Sequence, residues 1–130
     1  MVRTQKQIEL TNEECLNLHQ ELTRLSKLNL MIVFKAHINR LKSTVERIVK
    51  DYDKIRVELV EKYGKDNGKG LIEIQKVTES GEMTTEYKDF LKEIQLLLAD
   101  SHLIEYGEIL ESDFADVKTD DDFPTLYKLL

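Results

Sequence analysis

Residues 28–63 read LNLMIVFKAHINRLKSTVERIVKDYDKIRVELVEKY, with no Gly or Pro to interrupt them. Within this stretch Met31, Phe34, Ile38, Leu41, Val45, Ile48, Tyr52, Ile55 and Leu59 recur at alternating spacings of 3 and 4. A period of 3.5 residues sustained in this way is the signature of a long helix that presents a narrow apolar seam to a partner. A helix of about 36 residues spans roughly 54 Å at 1.5 Å per residue. That exceeds the width of a compact domain built from a chain this short. The seam therefore needs cover from other helices of the chain, from a second copy, or from another protein. Phe34, Ile38, Leu41, Val45, Ile48, Tyr52 and Ile55 are the candidate protein-interaction residues.

On either side of this stretch, local signals divide the remaining chain. Residues 1–10 are polar with a late apolar alternation at Ile8 and Leu10, and read as an extended arm or short strand. Thr11-Asn-Glu-Glu14 is a capping box, in which hydroxyl and carboxylate each satisfy the other residue's amide. It opens a helix over 11–25 with Cys15, Leu18, Leu22 and Leu25 on one face. Ser26 to Asn29 reads as the break before the long helix, the alternative being one continuous helix. At its far end Gly64 reads as a left-handed cap, and Lys62 suits the negative end of the helix dipole. Lys65 to Gly70 is a loop of turn formers. Ile72 and Ile74 alternate with Glu73 and Gln75, which predicts a strand over 71–77.

Thr84 or Thr85 can cap the following helix, over 85–99. Its Tyr87, Phe90, Leu91, Ile94, Leu97 and Leu98 make a wide stripe of the kind that faces a core. Residues 102–106 predict a second strand, pairing with 71–77. The acidic C-terminal segment 109–130 holds two short helical turns joined by the acidic loop 118–122. The resulting fold class is mainly α: a long coiled-coil-like central helix packed with shorter helices, plus a minor two-stranded β element. More than half of the residues are expected in helices, within a single domain of 1–130.

Composition narrows the function. The 130 residues are 41% hydrophobic and 34% charged, with both signs mixed and a net charge of −6. This is a folded and not a disordered composition. The lone Cys15 excludes an intrachain disulfide and suits a reducing compartment. No apolar run approaches membrane-spanning length and no signal-peptide core opens the chain, so cytosolic synthesis without membrane contact is expected. Charge is unevenly placed. Lys35, Arg40, Lys42, Arg47, Lys50, Lys54 and Arg56 outweigh Glu46, Asp51 and Asp53 on the long helix. From Glu105 to Asp122 eight acids face only Lys118.

Catalytic and ligand-binding chemistry finds little to work with. Cys15 and His19 stand one helical turn apart, yet Cys15 lies on an apolar face and reads as a small buried hydrophobe. His37 flanks the seam and His102 follows a helix end. Three scattered His and one Cys make no zinc spacing. The Asp66-Asn-Gly-Lys-Gly loop puts lysines where a calcium loop needs carboxylates. Gly64 to Gly70 follows a helix and precedes a strand, the reverse of a phosphate-cradling order. The lysines and arginines of the long helix lie all round the cylinder without interleaved aromatics, a poor nucleic-acid footprint. No enzyme, cofactor, metal or nucleic acid is expected.

One resemblance adds a setting. The order runs from a capped first helix (Leu10-Thr-Asn-Glu-Glu14) to a long helix with Lys35-Ala36 and Arg40. Next come Arg56-x-Glu-Leu-Val-Glu-Lys-Tyr-Gly64, a Lys65-Asp-x-Gly68 loop, an acidic amphipathic helix, and a closing His102-Leu-Ile-Glu-Tyr-Gly-Glu-Ile109. Over about residues 8–115 this resembles small proteins of tailed bacteriophages and prophages that carry no assigned activity. The resemblance implies synthesis in a bacterial host and a non-enzymatic role in virion assembly or host interaction. The partner would be a second copy, giving a homo-oligomer, or another phage or host protein. The rival expectation is a small acidic inhibitor or adaptor that uses the 105–122 acids as a mimic of phosphate charge.

Overall fold

The computed structural model describes residues 3–130. It is 54% helical with two small β elements, so the fold is mainly α with minor β. The chain divides into two compact units. One joins the chain up to Val49 with Ser101–Leu130, and the other is Lys50–Asp100. The buried apolar cluster draws all of its members from the first unit.

In the first unit the N-terminal arm is strand β1, Gln5–Thr11. It pairs antiparallel with β4, Ser101–Gly107, in register from Gln5↔Gly107 to Thr11↔Ser101. Ile8, Leu10, Ile104 and Tyr106 turn towards the core while Gln7, Glu9, Leu103 and Glu105 face out. The strand expected at 102–106 is present, but its partner is β1 and not 71–77. Both segments carry the same alternation; only β1 comes with a core under its apolar face.

Thr11 ends β1 and caps α1, Asn12–Leu25, through the full capping box. Cys15, Leu18, Leu22 and Leu25 are wholly buried. After the break, α2 runs over Ile32–Tyr63. In its first half Phe34, Ile38, Leu41 and Val45 enter the same core. The C-terminal segment seals it with a 3₁₀ turn at Glu111–Phe114 and the short helix α4, Pro124–Tyr127. Phe123, Leu126 and Leu129 are fully buried there, and Phe114 meets the Phe34 ring edge-on at 5.1 Å. Polar groups fix this closure. Buried Glu21 accepts the amides of Thr125 and Leu126 at 2.9 and 3.0 Å. The Tyr106 hydroxyl donates to the Leu129 carbonyl at 2.9 Å. Arg3 donates to Asp113 from both terminal guanidinium nitrogens, at 2.5 and 2.6 Å.

The second unit holds the latter part of α2, a two-residue hairpin and α3, Thr85–Ala99. The hairpin strands are β2, Lys65–Asp66, and β3, Ile72–Glu73. The strand expected over 71–77 therefore shrinks to two residues. Ile72 stays exposed, so its alternation has no covered face to bury against. Beyond it the backbone turns back on itself, with Val77 bridging Met83 and Gly81 at φ 85°. Gly64 also departs from expectation: positive φ falls at Gly68, Gly70 and Gly81 instead. Glycine is needed at 64 for space. A Cβ there would stand 2.5 Å from the Val60 carbonyl and 2.6 Å from the Ile72 side chain. Thr84 is the N-cap of α3, as one of the two expected threonines, and also donates to the Gln75 carbonyl.

Two outcomes follow from the first unit. Ile38→Ala empties a site with no solvent access and should cost roughly 2–5 kcal/mol in urea unfolding followed by circular dichroism. The second concerns acid. Burial pushes the Asp113 carboxyl up, but the Arg3 hydrogen bonds, the Leu110 amide and the Arg3 charge outweigh it and leave the group below its ordinary value. A depressed carboxyl stabilises the fold above its unfolded pKa of about 3.9 and loses that contribution as pH falls through the lower folded value. Asp113→Asn should therefore flatten the acid limb of a stability-against-pH curve below about pH 4.

Candidate protein-interaction surface

The expected seam divides along α2. Phe34, Ile38, Leu41 and Val45 are covered by the chain's own β1, β4, α1 and C-terminal segment in one core cluster. Ile48 and the neighbouring Val49 are half-buried against it. Tyr52 is buried, and Ile55 is 43% exposed. These four side chains are buried inside the first unit. Among the seven seam positions, the accessible surface belongs to the end of α2 that lies in the second unit.

That unit is poorly filled. Among its described residues Tyr52 is the one buried apolar side chain, and α3 buries none. The stripe Tyr87, Phe90, Leu91, Ile94, Leu97 and Leu98 is half-buried throughout. Part of it, Tyr87 and Phe90, lines a depression of about 490 Å³ with Val60 and Ile74. A second groove of about 480 Å³ runs between Ile55 and Leu59 on α2 and Glu93, Leu96, Leu97, Ala99 and Asp100 on α3. At one edge Lys62 spans the two helices, its Nζ 3.3 Å from both oxygens of the Glu93 carboxylate and 5.0 Å from the Tyr63 ring centre. A hydrogen bond from Tyr63, with burial opposing it and the Lys62 hydrogen bond and charge adding to it, holds the Glu93 carboxyl below its usual value.

Leu96 is the residue that periodicity misses. It is 74% exposed. At about 100° per residue it stands roughly 200° round the helix from Ile94, on the side away from the stripe. A large apolar residue alone on the polar face of an amphipathic helix was the available signal. It was absent from the expected set because the count of stripe residues had no place for it.

The remaining candidates stay structural. Cys15 is wholly buried, and burial together with the Glu14 charge pushes its thiol up to about 11. Its helical neighbour His19 keeps a buried Nε2 without a hydrogen-bond partner. His102 Nε2 lies 2.9 Å from the Asn12 amide oxygen, tying β4 to the start of α1. His37 sits against Gly107, where a Cβ would stand 2.9 Å from its Nδ1. Burial and the charges of Arg3 and Arg40 lower its pKa, with Asp113 opposing. A groove of about 410 Å³ beside it is lined by Arg3, Gln5, Ile32, Val33, Ala36 and Arg40. Among the described residues no three His, Cys, Asp or Glu converge to hold a metal ion, and no helix is long and apolar enough to cross a membrane. Of the acids from 105 to 122, Asp113 is engaged by Arg3 and Asp122 caps the amide of Phe123. Glu111, Asp116, Asp120 and Asp121 face solvent.

Compared with known proteins, the chain matches no family model, no curated protein and no solved structure.

The contrast between the two units is measurable. Leu96→Ser removes a side chain with few neighbours and should change the unfolding free energy of the dilute protein by no more than about 0.5 kcal/mol, the range of ordinary surface substitutions. A loss comparable with that of Ile38→Ala would mean that Leu96 is core.

Proposed function

We propose that this is a non-enzymatic structural or assembly protein that works by helix-mediated contacts, and that the helices of its second unit make them. The observation that carries the reading is the uneven burial of apolar side chains. The first unit closes its own core, whereas α3 buries none of its residues and leaves Ile55 and Leu96 in the open. A helix with an apolar stripe gains most of its stability from packing, so a unit left in this condition gains by association. Self-association is the simplest form of it. The resemblance to small proteins of tailed bacteriophages and prophages supports a viral setting, with synthesis in a bacterial cytoplasm and a place in or on the way to the virion.

The acidic adaptor is the competing reading, and the four solvent-facing acids Glu111, Asp116, Asp120 and Asp121 speak for it. Mass in solution separates the two. Sedimentation at micromolar protein, in low and in high salt, should find a dimer or larger species in both, because apolar contact and not surface charge drives it. Exposed ion pairs contribute only about 0.2–1 kcal/mol each and are screened by salt. A monomer in both conditions overturns self-association and favours the adaptor.

A further inference from the structure

We propose that Leu96 is the centre of a two-fold contact between two copies of this chain, in which α3 lies antiparallel against α3. The inference rests on the self-association reading and adds its register.

Around Leu96 the polar face of α3 is self-complementary in one direction only. Lys92 stands four residues before it and Asp100 four after; Glu93 stands three before and Ala99 three after. About a two-fold axis through Leu96, the residue n places before it on one copy faces the residue n places after it on the other. Lys92 then meets Asp100 of the second copy, twice over by symmetry, and Glu93 meets the small Ala99. A parallel arrangement sets Lys92 near Lys92 and Asp100 near Asp100, with like charges in contact at both ends.

Asp100 gives an independent reason for a cation to arrive there. It is the C-cap of α3, and the last turn of that helix contains no basic residue. A carboxylate at the negative end of a helix dipole is unfavourably placed. Lys92 of a second copy supplies the missing positive charge. The groove beside Leu96 has walls of Ile55, Leu59 and Leu97, and at its edge Lys62 pairs with Glu93. Its lining is apolar apart from Glu93, already paired with Lys62, and Asp100, which suits an identical copy that brings Leu96 and Lys92. Two turns of one helix fall short of the roughly 800 Å² per partner of a standard interface. The contact therefore extends onto Ile55 and Leu59 of α2, which line the same groove.

The test uses the full chain and three exposed-site variants: Leu96→Glu, Lys92→Asp and Asp100→Lys. Sedimentation equilibrium is measured for each alone and for a 1:1 mixture of the last two. The wild type should dimerise, and Leu96→Glu should be monomeric. Lys92→Asp and Asp100→Lys should each dimerise about tenfold more weakly, since each replaces two attractive pairs by two repulsive ones. Mixed, they should form a heterodimer of near wild-type strength, in which every facing pair is again opposite in sign. The mixture is its own folding control, because misfolded variants could not restore one another. A wild-type dimer that ignores all three substitutions, or a mixture no tighter than its components, overturns this register and leaves self-association standing. A wild-type monomer overturns both.

Discussion

The pairing of β1 with β4 is the constraint on which the first unit depends. Its seven-residue ladder joins positions nearly a chain length apart, Gln5 to Gly107. Closing so long a loop is entropically costly, though the cost grows only slowly with length. What offsets it is the apolar face the ladder presents. Ile8, Leu10, Ile104 and Tyr106 form the floor on which α1, the first half of α2 and the C-terminal segment are packed. The hydrogen bonds that seal this assembly also join distant positions: Arg3 with Asp113, Glu21 with the amides of α4, Asn12 with His102. Removing the ladder would uncover the core and free His102 from its place beside Asn12.

The second unit is organised differently. Its turns are local and well specified, with Asp66 and Asn67 side chains accepting amides two residues on and glycines at the positive φ positions. Its helix α3 is correctly capped and amphipathic. What it lacks is a second layer, since its stripe is only half-covered and Leu96 projects from the opposite face. One unit thus closes its own core while the other leaves apolar side chains of both its helices partly exposed. The acids between Glu105 and Asp122 fit this division. Asp113 and Asp122 serve the closure of the first unit, and Glu111, Asp116, Asp120 and Asp121 face solvent.

Much of this was legible in the order of residues. The capping box at Thr11, the cap at Thr84, the long helix ending at Tyr63, the break after Leu25 and the two turns of the C-terminal segment are all local matters. Each depends on a few neighbouring side chains competing for the same backbone groups. The heptad was real as a periodicity and showed which face of α2 is apolar. It did not say what covers that face, because Phe34, Ile38, Leu41 and Val45 look the same to a second helix as to the strands and helices that meet them. Gly64 was recognised as a helix end for the wrong reason: its backbone is not left-handed, and the space it leaves is taken by Ile72 from the returning hairpin.

Strand pairing and the division into two units were decided by tertiary structure alone. Residues 5–11, 71–77 and 101–107 all offer alternating strands, and alternation carries no address for its partner. The pair that forms is the one that brings two apolar faces onto one core, a sum over residues far apart in sequence. For the same reason the stripe on α3 foretold a buried helix and the fold left it half-covered. The sequence by itself determined where each helix starts, stops and turns its apolar side, because those contests are settled within a few residues. Which of those sides the chain itself would cover depended on how much apolar surface the remaining elements had left to give.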